Sequence, residues 1–145
     1  MTTLERVQTK EELEEKLSGY YGTECYHRTN PFIPIMRVTD GVKAFADLTG
    51  GYWFIDEVGM RVKKIWNKDL NNLFAVVMLE SKNNKATCTI YSDYDSDLTK
   101  AENKKKYKLA GFTIDFTDMI TGTHKFYLQR DASTYKTIML LPQEC

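Results

Sequence analysis

Leu73-Phe74-Ala75-Val76-Val77-Met78-Leu79 is the stretch on which the fold turns. An unbroken apolar run of this length, rich in valine, reads as a central β-strand buried on both faces. Downstream the pattern stays strand-like. Lys82-Asn83-Asn84-Lys85 supplies turn chemistry, and Ala86, Cys88 and Ile90 then alternate with Thr87, Thr89 and Tyr91, so a β-hairpin is expected. Ser92 to Lys106 is polar and reads as a solvated connection with room for a helical turn. Tyr107 and Leu109 share one parity while Phe112, Ile114 and Phe116 share the other, which predicts a bulge at Ala110-Gly111. Phe126 and Leu128, then Ile138 and Leu140, predict a last strand pair joined near Asp131 to Thr134.

Upstream of the run the apolar residues recur at helical spacing instead. Thr9 and Glu12 read as a capping box opening a helix over residues 10–19, with Leu13, Leu17 and Tyr20 on one face and Gly19 or Gly22 as the stop. Residues 22–38 carry Pro31 and Pro34 and favour loop or a short edge strand. Asp40 is expected to cap a helix over residues 41–48, ended by Gly50-Gly51. A third helix over residues 52–67 buries Tyr52, Ile55, Val58, Val62, Ile65 and Trp66, and turns Trp53 and Met60 to the opposite side. The expectation is an α+β fold: about three N-terminal helices packed on a four- to five-stranded, mainly antiparallel sheet. The chain, residues 1–145, is expected to form a single domain without internal repeats.

Lysine plus arginine and aspartate plus glutamate both number 20, so no global field draws the chain to nucleic acid or an anionic membrane. The apolar run is far short of the ~20 residues that span a bilayer. Met1 to Lys16 is acidic and lacks the apolar stretch of a leader, and the three cysteines fall in no metal-ligand spacing. A reduced, soluble, cytoplasmic protein is expected, with no cofactor and no metal.

The chemistry-bearing motifs are incomplete. Asp93-Tyr94-Asp95-Ser96-Asp97 opens like a calcium loop, but Leu98 stands where the turn needs glycine and Lys104 where a bidentate glutamate is required. His27 and His124 are too far apart in sequence for a paired metal site on one helix, and no serine elbow or phosphate-binding loop accompanies His27. Arg61, Lys63, Lys64 and Lys68 read as a solvated helix end. A polar aromatic pocket would arise if the first loop folded over the helix junction and brought Tyr20, Tyr21, Tyr26, His27, Arg28, Asp40, Tyr52, Trp53 and Asp56 together. The alternative is that these polar tips satisfy one another at the edge of the core.

Val38-Thr39-Asp40-Gly41-Val42-Lys43, followed by Gly51-Tyr52-Trp53-Phe54-Ile55-Asp56 and later Leu140-Leu141-Pro142, resembles an uncharacterised family of small bacterial and phage proteins with a TDGVK segment before an AYWLLD-like one. Gly51 stands where alanine is usual, and Phe54-Ile55 replace two leucines. The resemblance implies a cytosolic protein of a bacterium, phage or mobile element, with no known activity, cofactor or catalytic residue. By analogy it implies a non-catalytic binding protein, such as an anti-CRISPR-like inhibitor of a host defence system; the incomplete catalytic motifs and the outward Trp53 and Met60 point separately to a protein-binding module. Two alternatives stay open: a small-ligand or nucleotide binder using Tyr26, His27, Arg28, Tyr52 and Trp53, and a small hydrolase with His27 as base. A homodimer through a sheet edge is a further expectation.

Overall fold

The structure is a computed structural model and describes residues 5–145. The leader reading on Met1 to Lys16 falls partly on residues 1–4, outside the described residues. In chain order the elements are α1 (Lys10–Leu17), β1 (Tyr26–His27), β2 (Met36–Thr39), α2 (Asp40–Thr49), α3 (Tyr52–Gly59), α4 (Val62–Lys68), β3 (Phe74–Lys82), β4 (Lys85–Tyr91), α5 (Lys100–Tyr107), β5 (Lys108–Ile114), β6 (Gly122–Arg130) and β7 (Thr137–Leu140), closed by a 3-10 turn at Pro142–Glu144. The strands form one sheet in the order β1-β2-β7-β6-β3-β4-β5. Every neighbouring pair is antiparallel except β2 and β7. None of the described helices is long and apolar enough to cross a membrane.

The 73–79 run does become the central strand. Ala75, Val77 and Leu79 are fully buried towards the helices, and Val76 is buried on the other face. The hairpin that follows turns through Asn83 (φ 53°) and Asn84 (φ 63°), the pair of left-handed residues that a two-residue type I′ turn requires. On the helix side, Phe45 and Phe54 pack on Phe126 at centroid distances of 4.9 and 5.0 Å. Trp66 is buried and donates its indole N–H to the Thr137 hydroxyl at 2.9 Å. The core therefore lies between α1 to α4 and one face of the sheet.

This sheet corrects the expected one. It has seven strands and a parallel pair rather than four or five mainly antiparallel strands, and the described residues form five α-helices rather than three. The class remains α+β. β1 and β2 are too short, at two and four residues, to show alternation, and β2 gains its place by tertiary pairing with β7. The helix expected over residues 52–67 breaks at Met60-Arg61, where Arg61 N–H donates to Val58 O at 2.9 Å in a tightened turn. Gly59 lets the 31–35 loop press on that break, since a Cβ there would lie 2.9 Å from Ile33 Cγ2. Both halves keep the expected stripe, with Ile55, Val58, Val62, Ile65 and Trp66 buried.

Helix α5 occupies part of the expected solvated connection. Its capping box is complete: Glu102 N–H donates to Thr99 Oγ1 at 3.1 Å and Thr99 N–H donates to Glu102 Oε1 at 3.0 Å. Its buried residue is Asn103, whose amide donates to the carbonyls of Asp95, Leu98 and Thr99. A polar residue anchors this helix, so apolar periodicity could not reveal it.

Smaller differences have local causes. The β-bulge falls at Leu109, because Ile90 pairs with Ala110 and Tyr91 with Lys108, one residue before the expected site. Leu128 pairs with Met139, so Thr137 and Met139 face the core and Ile138 faces away from it. Thr39 rather than Asp40 caps α2, accepting from Val42 N–H at 3.3 Å. Thr9 caps α1 as expected, but the Glu12 carboxylate accepts from Gln8 N–H at 3.2 Å instead of from the cap residue.

His124 sits in β6 with its ring 5.1 Å from Phe45, and its Nε2 is buried without a partner among the described residues. Burial first, and then the Lys10 ammonium, lowers its pKa from 6.5 to about 4. The unfolded ring takes up its proton near 6.5, so across that window the unfolded state binds more protons and stability falls as the pH is lowered. The limiting slope is about 1.4 kcal/mol per pH unit. Urea unfolding in steps from pH 7 down to pH 4 is expected to show this loss, and His124→Phe to flatten it; an equal slope in the variant would disprove the assignment.

Candidate functional site

The first turn of α2 gathers three parts of the chain. Asp40 accepts from His27 Nε2 at 2.6 Å and from Glu24 N–H at 2.9 Å, while its own N–H donates to Thr23 Oγ1 at 2.9 Å. Burial alone would raise the Asp40 carboxyl, but the His27 bond, the Glu24 amide and the imidazole charge outweigh it and hold the group below the usual carboxylate range. From the other end of the chain, Glu144 accepts from the Thr39 hydroxyl at 2.5 Å, from Gly41 N–H at 3.1 Å and from Leu141 N–H at 2.9 Å. His27 and Asp40 thus clamp β1 to α2. Among the described residues no hydroxyl or thiol bonds the His27 ring.

The other expected site residues lie elsewhere. Arg28 follows β1 and is exposed, Asp56 is half-buried on α3, and Met60, at the end of α3, is 62% exposed. Trp53 lines a cavity of about 410 Å³ with Glu57, Ile114, Phe116, Thr117 and Asp118. That cavity flanks the end of β5, at the opposite edge of the sheet from β1 and Tyr26. At about 4.8 Å per strand the two edges are roughly 30 Å apart, so the proposed aromatic pocket does not assemble.

The groove beside Trp53 has its own character. Phe116 is 82% exposed just beyond β5, and β5 has no strand on its outer side among the described residues. The rim is charge-compensated: Glu57 pairs with Arg61 at 2.7 Å and Asp118 with Arg6 at 3.0 Å. The Arg6 bond keeps Asp118 below the usual carboxylate range. Parity had assigned Phe116 to the buried face of a strand that in fact ends at Ile114. The polar flanks Asp115 and Thr117-Asp118 were the signal that the strand stops there.

One family model, that of a family of unknown function designated DUF6876, matches residues 11–145. The chain belongs to this family. No curated protein and no solved structure matches it. In this DUF6876 chain the residues that carried the resemblance are mostly scaffold: Thr39 caps, Asp40 clamps β1, Gly41 admits the C-terminal turn and Val42 is fully buried. A Cβ on Gly41 would lie 2.6 Å from Leu141 Cδ1 and 2.7 Å from the Glu144 carboxyl.

Lys43 and Tyr52 complete the scaffold through Asp47. Lys43 Nζ donates to Asp47 Oδ2 at 3.0 Å and the Tyr52 hydroxyl donates to Asp47 Oδ1, with Asp47 buried. Burial, the bond to Asp47 and the Asp47 charge all push the Tyr52 phenol up. Removing the ammonium strands a buried carboxylate, so Lys43→Met is expected to cost about 2–3 kcal/mol in urea unfolding at neutral pH. A cost below about 0.5 kcal/mol would mean that the pair behaves as a surface ion pair.

Proposed function

We propose that this protein is a non-catalytic binding module that takes an extended segment of a protein partner along the outer edge of β5. The observation that carries the reading is an open edge strand of seven residues ending beside an exposed Phe116 and the Trp53 groove. An unpaired edge offers backbone donors and acceptors, and an adjoining apolar groove selects a side chain; together they support strand addition. The paired charges on the rim favour an uncharged anchor residue over an ionic one. Inhibition of a host defence system, in the bacterial, phage or mobile-element cytoplasm implied by the resemblance, belongs to the same proposal and rests on analogy.

A photo-reactive residue placed at position 116 in producing cells is expected to crosslink to one dominant protein. Phe116→Ser and Trp53→Ala are each expected to weaken binding of that protein by about tenfold or more, as loss of an interface anchor does. Phe116 is exposed, so its variant is expected to melt within a few degrees of the parent. Undiminished binding by both variants would rule the surface out, and a crosslink to a second copy of this chain would replace a foreign partner by a homodimer.

A further inference from the structure

A second cavity, of about 470 Å³, opens on the helix-free face of the sheet at its β1 side, where β1 pairs with Val38 and Thr39 and leaves the first half of β2 uncovered. Its floor follows from strand register. Arg37 pairs with Ile138 and Ile138 with Gln129, so these three form one row across β2, β7 and β6 on the face turned away from the core. Ile35 adds to the apolar floor, and the Tyr26 ring, 58% exposed, stands at the border.

Arg37, Arg130 and Lys136 all line this cavity, and none of them forms an ion pair among the described residues. Arg37 donates to the carbonyls of Pro34 and Met36, which orient its guanidinium without neutralising it. Arg130 turns to the helix side, opposite core-facing Thr137: it donates to Leu70 O at 2.6 Å and Asn72 O at 3.1 Å, packs over the Trp66 ring, and keeps its Nε buried without a partner among the described residues. One carboxylate, Asp131, lines the cavity with Arg37 and Lys136. It accepts from the Ser133 amide at 2.9 Å and the Ser133 hydroxyl at 3.0 Å, bonds that hold it below the usual carboxylate range, so it is ionised and already engaged. Arg37 and Lys136 against one committed carboxylate leave the cavity positive in a chain whose net charge is zero.

We infer that this cavity is a binding site for a small organic phosphate with a flat apolar body, of the mononucleotide class. Arg37 and Lys136 would take the phosphate, Ile35 and Ile138 the body, and Tyr26 would stack on it. The volume lies in the range of small-molecule sites, and β2 to β6 spans about 10 Å, the scale of such a ligand. The site is independent of the β5 groove at the far edge of the sheet.

The test is thermal shift and calorimetry of the whole chain with the four nucleoside monophosphates, the matching nucleosides and inorganic phosphate. At least one monophosphate is expected to raise the melting temperature at about 10 mM, with the shift shrinking as salt rises. Arg37→Gln and Lys136→Ala should each weaken binding by about tenfold. Arg37→Gln keeps a donor for the Pro34 carbonyl, and the melting temperature of the free variant reports whether the fold survives. Phe116→Ser should bind the monophosphate as the parent does, so failure of this site and failure of the β5 reading are separately visible. No shift with any monophosphate, an equal shift with inorganic phosphate alone, or undiminished binding by both cation variants would overturn the assignment. Tighter binding of a single-stranded oligonucleotide than of the mononucleotide would also overturn it, in favour of a nucleic-acid surface.

Discussion

The N-terminus of α2 is the joint that the β1 side of the sheet depends on. Four backbone N–H groups at a helix start need partners, and here side chains from distant parts of the chain supply them or bind beside them. Thr39 takes one amide and Glu144 another, and both carboxylates, Asp40 and Glu144, sit where the helix dipole favours negative charge. Because Glu144 also holds the Thr39 hydroxyl and the Leu141 amide, the last turn of the chain is fixed to the strand that precedes α2. Because Asp40 also holds Glu24 and His27, the two-residue β1 is fixed to the same helix. A strand that short has too few ladder bonds to hold itself, and these contacts stabilise it.

The same joint explains what was legible in the sequence. Elements whose stability comes from burying apolar side chains announced themselves: the 73–79 run, the Asn83-Asn84 turn and the buried stripe of α3 and α4 all follow from composition and period. Elements held by polar contacts showed only as allowances, a short edge strand within residues 22–38 and a helical turn within residues 92–106. β1 rests on Asp40, and α5 rests on the amide of Asn103, and neither leaves a periodic trace. Strand β2 is a third kind of omission, since its parallel pairing with β7 joins residues about a hundred positions apart and no local pattern encodes it. The break at Met60 escaped notice because the stripe continues across it, with a short tightened turn preserving the face.

The candidate residues divide along the same line. Asp40, His27 and Tyr52 were singled out for types that carry chemistry, and the structure places each in a contact that holds two elements together. Trp53 was singled out for pointing away from its helix stripe, and it lines a cavity at the edge of the sheet. Polar residues beside a helix start are thus weak pointers to a site, because capping and clamping use the same side chains as catalysis. Trp53, which breaks the apolar period of its helix, is half-buried against the core and meets Phe54 edge-on at 6.3 Å.

A net charge of zero excludes a global field but says nothing about its distribution. On the helix side three acidic groups are paired with cations: Asp47 with Lys43, Glu57 with Arg61, Asp118 with Arg6. Arg37 and Lys136, at the helix-free face, form no ion pair among the described residues. Sequence separation hides their convergence, because strand order brings β2 beside β7 and β7 beside β6 although the chain visits β3 to β5 in between. The topology that makes the sheet mixed is therefore also what concentrates positive charge over Ile35 and Ile138. A charge pattern that is featureless along the chain becomes a local field once the strands are set in order.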